Sequence, residues 1–147
     1  MLNLIQAQEG KLAQRDQSLN WERIHMVGAA RLAWIMAEER GEDPSLAACA
    51  CSVHDIGRIL TGRQDGHAEA GREASLEFLS GLGLFSPAER SLIASAVANH
   101  SRKNEQGTPL EEIIKDADVV DSHLYGSPFT MEGQRERFER WSHRHAL

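Results

Sequence analysis

Residues 53–57 read Val53-His54-Asp55-Ile56-Gly57, and the interpretation of the whole chain starts from this stretch. An imidazole beside a carboxylate is a ligand pair suited to a divalent metal ion. More candidate ligands stand in segments that otherwise look helical: His25, His67, His100 and Asp118. If the helices bring these side chains together, the chain holds a metal centre inside a helical bundle. If they do not, it is an ordinary helical domain with scattered histidines.

Length and composition predict one helical domain. A chain of 147 residues has the length of a single domain, and its 41% hydrophobic and 26% charged residues are typical of a globular protein. Aromatic residues make up only 5%, while alanine and leucine are plentiful, which favours helices over strands. We therefore expect an all-α bundle of six or seven helices over residues 1–147, with a core at about 21–125 and an outer helix in 126–147.

Charge and cysteine content restrict the expected partners and compartment. A formal charge of −6 argues against nucleic acid as a partner, because phosphate binding needs a basic face. We see neither an apolar run long enough for a membrane span nor a secretory signal in residues 1–8. Cys49 and Cys51 lie two residues apart in a predicted helix, so they point to different sides and should not form a disulfide. A reducing cytoplasm is the expected location.

Helix boundaries are well marked along the chain. Ser86-Pro87-Ala88-Glu89 and Thr108-Pro109-Leu110-Glu111 are capping boxes with proline at the first helical position. Asp43-Pro44 should begin another helix, and Gly41 should end the one before it. No stretch alternates with period two for long enough to predict a sheet. The predicted helices cover about 2–15, 20–40, 44–60, 66–80, 87–101, 109–125 and 130–144.

Small residues flank the candidate ligands at helical spacing, for example Gly28 after His25 and Gly71 after His67. Small side chains allow close helix approach, which a metal held by several helices requires. Among the other acids, Asp116 is predicted to hydrogen-bond a ligand histidine from outside the coordination sphere. The remaining histidines have polar neighbours and are predicted to be solvated: His123, His143 and His145.

These residues match a known pattern. The series His25, His54-Asp55 and Asp118 resembles the H…HD…D signature of the HD-domain superfamily of metal-dependent phosphohydrolases. The resemblance covers about residues 21–125 and also includes four local segments: Cys51 to Arg58, Gly66 to Gly71, Ile93 to His100 and Ile114 to Asp121. The connection from Asp55 to His67 is short and leaves little room for a lid. The extended motif of the cyclic-dinucleotide branch is missing, so that substrate is not assigned.

The resemblance implies an all-α fold and a set of metal ligands. One ion would be held by His25, His54, Asp55 and Asp118. His67 and His100 stand where members with two metals have additional ligands, with Asp55 bridging the ions. One or two divalent ions are expected, from among Fe, Mn, Co, Ni, Zn and Mg.

The implied activity is phosphohydrolysis of a small nucleotide or another phosphate ester or anhydride by metal-activated water. The predicted catalytic residues are Asp55, His54 and Arg58. Substrate phosphate is predicted to bind Arg58, Arg102 and Lys103.

The sequence allows two alternative functions and two interpretations of the C-terminal segment. A minority of HD-fold proteins with all six ligands use two irons for oxidative cleavage, and this is a second enzymatic hypothesis. A third hypothesis is a non-catalytic, nucleotide-responsive module. Phe138 and Trp141 are apolar anchors on an otherwise polar C-terminal segment, so this segment is either an outer helix or part of a homodimer contact.

Overall fold

The computed structural model describes residues 1–145, which form eight α-helices and no strand. This confirms the all-α prediction, with one helix more than the six or seven expected. The helices are α1 (Leu2–Gln6), α2 (Leu19–Arg40), α3 (Pro44–Val53), α4 (Ile56–Thr61), α5 (His67–Leu82), α6 (Pro87–Asn99), α7 (Pro109–Leu124) and α8 (Glu132–His145).

The predicted caps are present. The Ser86 hydroxyl accepts from the Glu89 backbone N–H while the Glu89 carboxylate accepts from the Ser86 N–H, and Thr108 and Glu111 repeat this pattern at α7. Asp43 caps α3 through its side chain. Gly41 ends α2 with φ of 70°, a left-handed conformation that glycine adopts without strain. Local sequence therefore positions these helix ends.

Two boundaries differ from the prediction. The helix expected over 44–60 is interrupted at His54 and Asp55, and α4 begins at Ile56. The His54 ring donates to the Cys51 carbonyl from 2.6 Å, so the side chain competes with the backbone donor that would continue the helix. The first helix ends at Gln6 and not near residue 15, since Ile5 is its one buried residue and offers little packing energy to extend it.

Alanines allow the central helices to pack closely. Ala29, Ala33 and Ala37 of α2 are fully buried in the same core as Ala47 and Ala50 of α3. Small side chains at a helix contact shorten the interaxial distance. The core thus leaves α2, α3, α6 and α7 near enough to share one polar site.

The C-terminal helix α8 packs against this core. Phe138 and Trp141 are partly buried against it, in agreement with the outer-helix alternative. Arg137 is 4% exposed and donates to Glu112, Asp116 and the Lys103 carbonyl. These bonds attach α8 to α7 and to the segment after α6.

Within residues 1–145, none of the helices combines the length and the apolar character needed to cross a bilayer. Both cysteines are free thiols, with Cys51 fully buried and Cys49 partly buried.

Candidate metal centre

The six predicted ligands converge at one place. His25 comes from α2, His54 and Asp55 from the break between α3 and α4, and His67 from the first residue of α5. His100 caps the C-terminus of α6, and Asp118 lies on α7. Their donor atoms form three overlapping groups, each within 4.8 Å: His25, His54 and Asp55; His54, His100 and Asp118; Asp55, His67 and His100.

All four histidines of the cluster are oriented by hydrogen bonds at their Nδ1 atoms. His54, His67 and His100 each approach a backbone carbonyl three residues earlier, at 2.6, 2.6 and 2.7 Å. His25 Nδ1 lies 2.6 Å from the Asp121 carboxylate. A hydrogen bond at Nδ1 fixes the neutral tautomer that leaves Nε2 free as a ligand, as in metal sites generally. The four Nε2 atoms therefore face the shared centre with lone pairs available.

Asp55 divides its two oxygens between two sets of histidines. Its Oδ2 lies 3.1 Å from His54 Nε2 and 3.6 Å from His25 Nε2. Its Oδ1 lies 3.2 Å from His67 Nε2 and 3.6 Å from His100 Nε2. A carboxylate between two donor sets has the position of a bridging ligand.

The donor set fits divalent metal. Asp55 Oδ1 is buried without a hydrogen-bond donor in the described part of the chain, an arrangement that is costly unless a cation is present. His25 Nε2 and His54 Nε2 lie 3.2 Å apart with their lone pairs facing each other, and a cation would relieve this repulsion too. Nitrogen and carboxylate donors together suit transition metals better than calcium.

Without a metal ion, protons on the histidines would supply part of the positive charge that balances the aspartates. Burial opposes the charged form of His54, but the Asp55 and Asp118 carboxylates outweigh it and raise its pKa to about 10. Burial also opposes the charged form of His25, yet hydrogen bonds to Asp118 and Asp121 raise its pKa to about 9. A metal ion that binds these nitrogens must displace protons, which makes uptake dependent on pH.

The pKa of His100 is shifted in the opposite direction from those of His25 and His54. Burial disfavours its charged form and lowers its pKa to about 4, with nearby His54 and Lys103 adding to the effect. The Asp55 carboxyl is buried and the Asp118 carboxyl is partly buried, which alone would raise their pKa values. Neighbouring positive groups, His54 and Arg58 for Asp55 and Lys103 for Asp118, hold both pKa values well below the usual range. The centre therefore offers ionised carboxylates and a neutral imidazole, the forms that bind metal.

Two of the predicted substrate-binding residues lie at the centre, but both form ion pairs with its carboxylates. Arg58 pairs with Asp55 Oδ2, donates to Glu22 at 2.8 Å and donates to Gln64 at 2.6 Å. Lys103 is 5% exposed and pairs with Asp118 Oδ2. The third, Arg102, lies outside the centre, with its side chain 49% exposed and paired with Glu105 at 3.7 Å.

Asp121 has the supporting role that the sequence analysis gave to Asp116. It accepts from His25 Nδ1, whereas Asp116 pairs with Arg40 and Arg137 at 2.6 and 2.7 Å. Helical spacing could have identified this, because Asp121 lies three residues after Asp118 and shares its face.

Gly28 lies against Asp121, and a Cβ at that position would collide with the carboxylate. The glycine thus lets α2 and α7 approach.

A cleft of about 370 Å³ opens onto the centre. It is lined by the ligands Asp55, His67, His100 and Asp118 and by a wall made of residues 127–131, between α7 and α8. This wall was not predictable from the sequence, because nothing local shows which way the segment folds.

His123 also lines this cleft, which corrects the prediction that it is solvated. It packs between Phe129 and Phe138, at ring distances of 4.1 and 4.3 Å. His143 is exposed on α8, and His145 accepts or donates a hydrogen bond with Glu39 at 2.9 Å.

Comparison with known proteins gives relatives of two kinds. Ribonuclease Y of Chlorobium luteolum is 32% identical over 117 residues, which cover 78% of this chain and 21% of that protein. Ribonuclease Y of Enterococcus faecalis is 30% identical over 104 residues, covering 70% and 18%. The chain therefore spans about a fifth of the length of these relatives.

A similar fold is found in the crystal structure of a predicted HD superfamily hydrolase from an uncultured Thermotogales bacterium. It superposes with a TM-score of 0.62 at 23% identity, covering 99% of this chain and 85% of that one, and so supports the fold. The family model described as HD domain matches residues 23–122, which is most of the chain and contains all six converging ligands. The predicted resemblance is confirmed: this chain belongs to the HD domain family.

Proposed function

We propose that this chain is a metal-dependent hydrolase of phosphodiester bonds and that its substrate is a short single-stranded segment of RNA. The observation that carries the proposal is the set of six converging ligands, in which Asp55 faces two pairs of histidine nitrogens. Membership of the HD domain family and the similarity to proteins named Ribonuclease Y support it.

The charges of the cleft favour a diester over the small nucleotide expected from sequence. Among its described lining residues, each arginine or lysine is already paired with a carboxylate: Arg58 with Asp55 and Glu22, and Lys103 with Asp118. Each phosphodiester linkage of an RNA segment carries one negative charge, whereas a nucleoside polyphosphate concentrates several charges at one place and needs free cations there. Neutral polar side chains also line the cleft, among them Gln17, Gln64, Ser122 and Gln134.

This substrate departs from the expectation of no nucleic-acid partner, which rested on the net charge of −6. The net charge by itself does not conflict with a short single strand. It argues against a broad basic surface for duplex nucleic acid, but a few nucleotides inside a cleft do not require one. Trp21 and Phe129 also line the cleft and offer apolar ring surface beside the polar groups. Single-stranded segments commonly bind to such mixed aromatic and polar walls.

Metal would be held by His25, His54, Asp55, His67, His100 and Asp118. When bound, divalent ions supply Lewis acidity that lowers the pKa of water and polarises phosphoryl oxygens. Arg58 holds Asp55 Oδ2 and Lys103 holds Asp118 Oδ2, so the carboxylates are fixed before substrate arrives. Such preorganisation reduces the reorganisation that the reaction would otherwise require.

The test compares substrates on protein purified without chelator and supplemented with manganese. We expect cleavage of a short RNA oligonucleotide and of bis-p-nitrophenyl phosphate, and much slower release of phosphate from nucleoside triphosphates. Asp55→Ala should lose both metal and activity while keeping its helical circular dichroism. Phosphate release from nucleotides with the oligonucleotide left intact would favour the small-nucleotide substrate instead.

The complete histidine and aspartate set also fits the second enzymatic hypothesis, a di-iron oxygenase. Iron content after purification and dioxygen consumption during turnover distinguish it from a hydrolase. The non-catalytic hypothesis predicts metal binding with no turnover of either diester. A module without activity has no need to keep all six donors oriented, so the geometry favours an enzyme.

A further inference from the structure

The outer face of α2 is unusually apolar for a solvent-exposed helix surface. Ile24, Val27, Trp34 and Ile35 are 47, 58, 42 and 42% exposed. At 3.6 residues per turn they lie on one side of the helix, together with Arg31 and Glu38. Because several exposed apolar residues grouped on one side of a helix commonly mark an interaction site, this side of α2 is a candidate interface.

The charged residues of α2 indicate what covers this face. Four of them pair within the chain: Glu22 with Arg58, Arg23 with Glu9, Arg40 with Asp116, and Glu39 with His145. Arg31 and Glu38 form no ion pair or side-chain hydrogen bond with any residue in 1–145. Seven residues apart, they are about 10 Å from each other along the axis, too far for a mutual bond.

We propose that the patch formed by Arg31, Trp34, Ile35 and Glu38 binds the same patch on a second copy of this chain. The four residues have spacing i, i+3, i+4 and i+7, so they form one compact group on the helix surface. The two apolar residues occupy its middle and the opposite charges its two ends. This pattern is complementary to itself when a second helix runs antiparallel.

A twofold axis between Trp34 and Ile35 generates the contacts. It sets Trp34 against Ile35 of the partner subunit and Arg31 against Glu38 of the partner subunit, and repeats both by symmetry. Each copy thereby supplies the other's missing ion-pair partner, as an isologous interface requires. A membrane surface fits less well, because Glu38 would face anionic headgroups.

The expected dimer is weak. A helix of 22 residues is about 33 Å long, and one helix pair buries less than the roughly 800 Å² per partner of a standard interface. A dissociation constant on the order of 10 µM or weaker is therefore expected. Arg31 and Glu38 would chiefly set the register, since exposed ion pairs contribute little energy.

Sedimentation velocity of the full chain from about 5 µM to about 1 mM tests the proposal. The wild type should shift from monomer to dimer, and Trp34→Glu should remain a monomer. Arg31→Glu should weaken association because like charges then face each other. The double variant with Arg31→Glu and Glu38→Arg should restore it, because the pair is exchanged on both copies.

Leu84→Glu is the matched control, since Leu84 is 77% exposed and lies outside α2. It should leave association unchanged, and circular dichroism should show each variant folded. A wild type that stays monomeric at about 1 mM would overturn the proposal. So would loss of the dimer in Leu84→Glu, or failure of the double variant to recover association.

Discussion

His67 Nε2 lies 2.9 Å from His100 Nε2, although the Nδ1 atom of each ring is within hydrogen-bond distance of a backbone carbonyl. If both Nδ1 atoms are donors, two neutral rings turn lone pairs toward each other. Moving one proton to Nε2 would join the rings but leave a carbonyl facing a lone pair. A cation within reach of both nitrogens removes the conflict, so this contact identifies one half of the metal centre.

His67→Ala is expected to lower the metal bound per chain without abolishing it. The substitution removes one donor from the half that contains His100 and Asp55 Oδ1, while His25, His54 and Asp118 remain. Elemental analysis after gel filtration measures the ratio. His143→Ala, an exposed histidine on α8, should bind as much metal as the wild type. Full metal content in His67→Ala would contradict the division into two halves.

Asp121→Ala should weaken metal binding by about 10- to 100-fold, because His25 then loses the carboxylate that orients its ring. Competition against a chelator of known affinity measures the change. Asp65→Ala removes an exposed carboxylate and should leave the affinity as it was. Equal effects of the two substitutions would indicate that only net charge matters.

Gly28→Ala should reduce the free energy of unfolding by about 1–3 kcal/mol, since the new Cβ collides with the Asp121 carboxylate. Gly81 of α5 has open space around its Cα, so Gly81→Ala should be neutral or stabilise by up to about 1 kcal/mol through helix propensity. Urea unfolding monitored by circular dichroism gives both values. If Gly28→Ala matched Gly81→Ala, α2 and α7 would not be in close contact there.

Glu112 should make stability depend on acid pH. Burial would raise its pKa, but hydrogen bonds from Arg137, the Gly107 N–H and Lys115 outweigh it and lower the pKa to about 2, from an ordinary value of 4.5. Its contribution is complete above pH 4.5 and is lost as the pH falls toward 2.

Glu112→Gln tests this pH dependence. The free energy of unfolding of the wild type should fall more steeply than that of the variant as the pH drops below about 4.5. Urea titrations at several pH values supply the comparison. Glu89→Gln is a poor control because its pKa is also lowered, whereas Glu69→Gln alters an exposed residue whose side chain has no partner in residues 1–145. Parallel curves for wild type and Glu112→Gln would refute the assignment.

Arg58→Met should reduce the free energy of unfolding by about 3–5 kcal/mol, because Glu22, 1% exposed, would lose the cation that balances its buried carboxylate. Combining it with Glu22→Gln should cost less than the two single losses added together. Unfolding in the presence of chelator isolates this effect from metal binding. Additive losses would show that Arg58 and Glu22 do not depend on each other.

Much of the fold was predictable because helix ends are decided by near neighbours. The capping boxes at Ser86 and Thr108 need only a hydroxyl and a carboxylate three residues later. The break at His54 was not predicted, since it depends on a side-chain bond to Cys51 that ordinary helix propensity does not include. The shortened first helix reflects missing tertiary packing, which no local pattern reports.

The candidate ligands were predictable from the sequence, but the contacts of the residues around them were not. Residue type and spacing identified His25, His54, Asp55, His67, His100 and Asp118. Arg58 and Lys103 look like free phosphate-binding cations in the sequence, yet both are engaged by carboxylates. Which charges neutralise each other depends on distances between helices, and the wall at 127–131 depends on how that segment folds back over the cleft.

Residue types and local spacing were enough to predict the donor atoms, the helix boundaries that caps can set, and the family to which the chain belongs. Tertiary structure alone decided that His25 meets Asp121, 96 residues away, and that Asp55 turns one oxygen toward each pair of histidines. The two kinds of contact differ in how far apart their residues lie along the chain. Hydrogen bonds within one turn are encoded by adjacent residues, whereas a shared centre forms only where several packed helices bring their side chains within a few ångströms.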